Sequence, residues 1–463
     1  MGLARQLAER VAALRYEDLP PEAVYWGKVA LADTVGVALA GAHEDAPRIL
    51  EEVMGLSPAA GPCLILGSNR RAGCLDAALI NGTAAHVLDF DNTAFHMGGH
   101  VSAVMVPALI AASEAFGASG RDFLLAHAAG FEMGARIGNA VNFHHSEKGW
   151  HPTATLGVFA VAAACARLLN LTAAQTETAL AISTSLAAGV KANFGTMTKS
   201  LHVGQCARSG LMAVLLSRKG FTANADAFEH KQGFFNLFNG SGNFDATGIV
   251  ENWGNPFEIV EPGAGYKRYP CCYSTHSAVE ATLNLVREHG RFDAAAVSRI
   301  DSWTAARGLA HTDRPQPDSA LNAKFSVQYC VARAALNGEV RLDHFEGDAW
   351  RDTAVQSLLP RVHAAPYGPA QFSVAEFPFG AEVKITLTNG NSVSAKVERP
   401  LGRTSGNPIA PAQMQEKFED CARRVLTAEA AAAAYRMMAV FETVPSVKNL
   451  TALLEAAPDG VSD

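Results

Sequence analysis

The chain has 463 residues, 49% of them hydrophobic and 18% charged, with a formal net charge of −7. That length exceeds one ordinary core and predicts two or three domains, and the apolar share excludes a disordered chain. An acidic balance without a basic run excludes a nucleic-acid surface.

The N-terminal stretch, Met1 to Tyr16, sets Arg5, Glu9 and Arg10 among apolar residues at helical spacing, which is not the continuous apolar core of a secretory signal. From there to about Phe257, Ala, Leu and Gly recur every three or four residues. Helices are predicted near Val29–Ala40, Pro107–Phe116, Phe123–Val141, Thr155–Leu169, Ala174–Ala187 and Cys206–Lys219. Ser119 with Asp122, and Thr172 with Gln175, are capping pairs at two of the starts. Helices with so little charge pack inside a bundle or at a subunit interface. The apolar stretch around Thr155–Cys165 is too short to span a bilayer. After Pro270 strand signals enter at Val297–Ala305 and Ala381–Val397. In the second, Val383, Ile385 and Leu387 alternate with polar residues before Asn389-Gly390, and Val393, Ala395 and Val397 alternate after it, which predicts a hairpin. Ala278–Val286 and Phe325–Leu336 read as helices, and the tail Pro411–Ala456 is helical again. The expected fold is mainly α: a large all-helical domain over residues 1–267, a smaller α+β domain over 268–400, and C-terminal helices over 401–463 returning to the large domain.

Four segments carry chemistry. Asn193–His202 sets Lys199 and His202 three residues apart, so that on a helix or its first turn both point the same way. Cations at a helix start suit a small carboxylate; a solvated lysine and a capping histidine are the plain alternative. Asn81–Thr93, followed by His96 and His100, places Asp89, Asp91 and Thr93 in a polar loop after a helix. That loop reads as an acid/base loop, as a cap and turn, or as a metal site built on Asp-x-Asp with His96 and His100, against which Gly98-Gly99 breaks the helix the two histidines need. His151 precedes Pro152 at a helix start, where the positive end of the dipole favours neutral imidazole, a usable base near pH 7. Tyr266–His276 sets Lys267 and Arg268 side by side where the texture changes.

Other classes lack their motifs. There is no GxGxxG leading into a helix, no Walker-type loop, no HExxH and no GxSxG elbow. The 8 cysteines contain no CxxC pair, which excludes a zinc ribbon and predicts buried thiols in a reducing compartment.

In their order these segments resemble the MmgE/PrpD family over nearly the whole chain. The matching stretches are Leu31–Val35, Asn81–Thr93 with His100, Gly149–Pro152, Thr198–His202, Lys267–Pro270 with Ser274–His276, and Ala323–Tyr329. The family includes 2-methylcitrate dehydratase, cis-aconitate decarboxylase and iminodisuccinate epimerase. The resemblance implies a large helical domain, a smaller α+β domain, a homodimer, and no metal or organic cofactor. It also implies that Asp89, Thr93, His100, His151, Lys199, Lys267 and Tyr329 surround the substrate. This chain departs from the family in reading Asp-Asn-Thr where many members read Asp-Asp-Thr, and in Val101 after His100 where Pro is usual. Gly-Trp-His-Pro and Thr-Lys-Ser-Leu-His resemble the decarboxylase and epimerase branch more than the methylcitrate dehydratases.

The expected protein is a cytoplasmic, cofactor-independent enzyme on a small di- or tricarboxylate, moving a proton at a carbon next to a carboxylate. His151 leads as the proton-transfer group with His100 its partner. Lys199, Lys267 and Arg268 bind carboxylates, Asp89 orients a histidine or lysine, and Thr93, Tyr329 and His202 contact the substrate. A lyase is the first expectation, an epimerase of an amino- or imino-dicarboxylate the second, and a non-catalytic helical binding protein the third.

Overall fold

The computed structural model describes residues 2–55, 61–369, 371–372 and 379–456. The chain divides into two compact units, Met1–Gly265 with Ala410–Asp463, and Tyr266–Ile409. The divisions thus fall at 265/266 and 409/410, where the sequence suggested 267/268 and 400/401.

The first unit is a bundle whose inner helices are Pro21–Gly41, Cys74–Val87, Val101–Phe116, Gly157–Leu168 and Thr198–Arg218. The two capping pairs form: Ser119 and Thr172 accept from the backbone N–H of Asp122 and Gln175. Other boundaries differ from expectation. Val101–Phe116 begins six residues before Pro107, which lies inside it. That helix is buried on every face over most of its length, and packing outweighs the missing N–H of proline. Pro21–Gly41 likewise starts well before Val29, with Pro at its first turn. Among the described residues it is the one helix long and apolar enough to cross a membrane, and 78% of its apolar window is buried inside the unit, as in a core helix. The C-terminal helices Pro411–Ala422 and Ala428–Ala439 pack on Pro21–Gly41.

Small residues set the helix spacing that matters most for function. A Cβ on Gly82 would lie 2.8 Å from the Cα of Gly204, and one on Gly204 would lie 2.1 Å from the carbonyl oxygen of Leu79. Cys74–Val87 and Thr198–Arg218 therefore cross with their backbones nearly touching. Everything at the C-terminal end of the first helix is thereby brought against the first turns of the second. Gly204→Ala is expected to destabilise the protein by about 1–3 kcal/mol or more, because the methyl meets backbone and not a flexible side chain. A calorimetric melting temperature equal to the native one would contradict this contact.

The second unit holds a four-stranded sheet in the order Val362–Pro366, Val297–Thr304, Ala381–Leu387, Ser392–Val397. The first pair is parallel, with Ile300 opposite Val362. The other pairs are antiparallel, and the hairpin across Asn389-Gly390 sets Val383 opposite Ala395 and Ile385 opposite Val393. Val383 and Ile385 are buried against His276–His289 and Val327–Asn337, while Lys384 between them is exposed. Val362–Pro366 carries no alternation and two alanines, so its sequence does not announce a strand.

Candidate active site

Polar side chains converge inside the first unit where three segments meet. His86 is the penultimate residue of Cys74–Val87. Asp89 follows with φ +52°, in the left-handed region that Asp tolerates, and turns the chain out of the helix. His100 is the N-cap of Val101–Phe116, and its N–H donates to Thr153 Oγ1 at 3.1 Å. A Cβ on Gly99 would lie 2.8 Å from the Thr153 nitrogen, so glycine there lets the His100 loop close against Thr153, two residues after His151. His151 caps Pro152–Thr155. Lys199 and His202 sit on the first turns of Thr198–Arg218, which begins eight residues before the Cys206 start that the sequence suggested.

Each group has a specific partner. Lys199 Nζ donates to Asp89 Oδ1 at 2.5 Å, and both side chains are largely buried. Asp91 is fully buried between two imidazoles. His86 Nδ1 lies 3.0 Å from both its oxygens, and His100 Nδ1 lies 2.9 Å from Oδ2, in charge contact without hydrogen-bond geometry. The His86 and His100 rings meet edge-to-face with centroids 4.5 Å apart. His151 is only 2% exposed; its Nδ1 lies 3.2 Å from Nδ1 of the half-buried His202, and Phe194 packs edge-on against its ring.

The electrostatics follow from this burial. Burial alone would raise the Asp91 carboxyl, but the neighbouring His100 and His86 outweigh it and hold the group well below its ordinary range. Asp91 is therefore an ionised acceptor, and His86 presents Nδ1–H to it. Burial pushes His86 down to about 4, despite the opposing pull of Asp91, so its ring is neutral at pH 7. Burial, then the positive potential of His86 and Lys199, holds His151 well below its ordinary value. His151 is thus neutral, as expected from sequence, although desolvation and not a helix dipole is the main cause. Burial and then Lys199 lower His202.

The Asp89–Thr93 loop is also held from outside. Asp33 Oδ2 accepts from the backbone N–H and the side-chain Nδ2–H of Asn92, both at 3.0 Å. Lys417, on the returning helix Pro411–Ala422, donates to Asp33 Oδ1 at 2.6 Å and to the Phe90 carbonyl at 2.7 Å. Asn at position 92 donates a hydrogen bond that an Asp there would not supply.

Among the sequence-predicted residues, the structure brings together Asp89, His100, His151, Lys199 and His202. Thr93 lies on a short strand, paired with Gly265. Lys267, Arg268 and Tyr329 belong to the second unit, where Lys267 is buried. The Tyr329 hydroxyl donates to the His344 carbonyl at 2.5 Å and accepts from Arg333 Nε at 2.9 Å. These bonds make Tyr329 part of that unit's core and give no support to a substrate-contacting hydroxyl. The alternative that made His96 and His100 metal ligands, which Gly98-Gly99 argued against, gains no support, since His96 Nδ1 lies 2.7 Å from Glu258. Ligand atoms of His86, Asp89 and His100 do lie within 4.8 Å of one another. Lys199 already places its positive charge on Asp89 Oδ1 there. Sequence reasoning assigned no role to His86 or to Lys417, and read Asp91 only as a loop or metal-ligand residue. The available signal for His86 was a single imidazole near the end of a largely apolar helix.

A sequence model of the MmgE/PrpD N-terminal domain matches residues 5–247, and one of the C-terminal domain matches residues 269–443. A cis-aconitate decarboxylase-like protein of Aspergillus oryzae, oryM, is 28% identical over 485 residues, covering 98% of this chain and 97% of that protein. Human cis-aconitate decarboxylase is 25% identical over 464 residues, covering 98% and 95%. The cis-aconitate decarboxylase of Aspergillus terreus is 27% identical over 428 residues, covering 87% and 86%.

Proposed function

This chain belongs to the MmgE/PrpD family, and from that premise and the geometry of the site we propose that it is a lyase that decarboxylates cis-aconitate or a closely similar unsaturated tricarboxylate, without a cofactor. The observation that carries the reading is a cluster of imidazoles, of which burial keeps His86 and His151 neutral, beside an Asp-anchored lysine. It offers proton donors and a cation in one desolvated place, which loss of CO2 next to a double bond requires.

The step is as follows. The bond from the CH2 carbon to its carboxylate breaks and CO2 leaves. The electron pair forms a new C=C bond and shifts the old π pair onto the carbon α to a second carboxylate. That carbon takes one proton, so a trianion and a proton give a dianion and CO2. Lys199 holds the carboxylate on which this charge is delocalised. In its protonated form, with Nδ1 facing the Asp91 carboxylate, His100 donates Nε2–H to the same developing charge. His151 delivers the proton to carbon.

Turnover of cis-aconitate in deuterated water, followed by proton NMR, tests the reading. CO2 release with one deuterium on the product methylene is the expected result. Exchange of an α-proton without CO2 release would replace it by epimerisation. Neither reaction with any citrate-, aconitate- or amino-dicarboxylate-like substrate would leave a binding protein.

Lys199→Ala removes the cation and the 2.5 Å donor to Asp89 Oδ1 in a desolvated site. It is expected to cost about 2–5 kcal/mol of transition-state stabilisation. Near-native kcat/KM in this variant would remove Lys199 from the mechanism.

A further inference from the structure

Decarboxylation consumes one proton per turnover, yet the ring assigned to deliver it is 2% exposed, and a substrate seated against it takes the place of water there. We propose that His202 is the proton carrier between solvent and His151; this rests on the decarboxylation reading above. The two rings face each other Nδ1 to Nδ1 at 3.2 Å, and His202 is the half-buried member. The neighbouring backbone keeps them in register. The Gly189 carbonyl accepts the His151 N–H at 3.0 Å. A Cβ on Gly189 would sit 3.4 Å from Cγ and Nδ1 of His202 and 3.2 Å from the Ala154 Cβ. Gly189 is at φ +132°, where a side chain is strained, so the position that holds His151 also leaves the space in which His202 reaches it.

The facing nitrogens dictate the transfer. Two neutral imidazoles joined Nδ1 to Nδ1 share one proton, so one ring donates and the other accepts. With His202 donating, His151 carries its own proton on Nε2 and presents a lone pair at Nδ1. As His151 Nε2–H passes to the substrate carbon, His202 Nδ1–H passes to His151 Nδ1. His202 Nε2 takes a proton from water at the same time. One proton enters at His202 and one leaves at His151. Both rings are neutral before and after, and both have exchanged tautomers. A relay of this kind never requires a charged imidazolium in the desolvated position, which burial disfavours. Once product has left, water in the emptied site returns a proton to His151 Nε2, the Nδ1 proton passes back to His202, and His202 Nε2 releases one to solvent, which restores both tautomers.

His202→Asn separates this role from simple support. Asparagine keeps a hydrogen-bonding group near the position of Nδ1, so a supporting His202 predicts near-native turnover. A carrier predicts a fall in kcat of about 10²-fold, little change in KM, and recovery on adding imidazole buffer in a saturable way. Native kcat in the variant, or a loss that imidazole leaves unchanged, would overturn the proposal. An activity-independent arm uses nitrogen-15 NMR of the histidine rings in the native protein. It should show both rings neutral and one Nδ1 proton shared between them, and the shared signal should vanish in His202→Asn. If the native protein fails to decarboxylate but shows the shared proton, the functional reading fails and the paired rings stand. If the native protein decarboxylates with no shared proton, the relay fails alone.

Discussion

Asp91→Asn is expected to lower turnover about 10²- to 10³-fold, the usual loss when a preorganised donor to developing charge is removed. The substitution is nearly isosteric, and its effect comes from proton placement. The Asp91 carboxylate accepts from His86 Nδ1–H at 3.0 Å and faces His100 Nδ1 at 2.9 Å. An asparagine presents one oxygen and one NH2 to these two rings. The ring that meets the NH2 has to turn over or change tautomer, since two donors cannot share a hydrogen bond. At His100 it makes Nδ1 an acceptor and removes the carboxylate that supports the doubly protonated ring, so Nε2–H faces the substrate as a weaker, neutral donor. At His86, whose Nε2 is buried without a partner, it adds an unsatisfied donor. Steady-state kinetics with cis-aconitate checks this, with kcat expected to fall more than KM rises. Near-native kcat in Asp91→Asn would mean that His100 does not act through Asp91.

How much of this was legible in the sequence follows from the range of each interaction. The Asn389-Gly390 hairpin and the capping pairs at Ser119 and Thr172 depend on residues a few positions apart, and the structure forms them. The start of Val101–Phe116 was misplaced because the rule for proline is local, whereas burial on all faces is a tertiary effect. Lys199 and His202 were found through their three-residue spacing on one helix. What that spacing cannot show is which partner each one meets, Asp89 at 110 positions' separation and His151 at 51. The same limit hid Asp33 and Lys417, which are 384 positions apart in the chain and in contact at 2.6 Å. Lys417 lies among Gln413, Gln415 and Glu416 and reads as part of a solvated face. Only the fold turns it inward against the Phe90 carbonyl.

Stability of the first unit is expected to fall steeply as pH drops from about 6.5 to about 4, the range between an ordinary histidine and the buried ones. Burial pushes His86, His127 and His145 each down to about 4. For a base lowered on folding, the unfolded chain binds a proton below its ordinary pKa while the folded chain does not. Stability is therefore complete above about 6.5 and is lost as pH falls towards the folded value, below which the loss levels off. Each such group accounts for on the order of 3 kcal/mol. Three together reach the order of the whole stability of a domain. His151, lowered further by burial and neighbouring charge, acts in the same direction. Glu132 opposes it, because burial raises its carboxyl and the cost of keeping it ionised is relieved in acid. Asp91, held low by its two histidines, loses its contribution only at more acid pH. Calorimetric melting temperatures between pH 7.5 and 4.5 check the slope, and a flat profile would refute it. His127 isolates one step of it. Both its ring nitrogens are buried without a partner, beside Phe131, and no part of the site touches it. His127→Leu is expected to flatten the acid slope by one proton and to leave kcat unchanged. A slope as steep as the native one would show that His127 takes no part in the acid response.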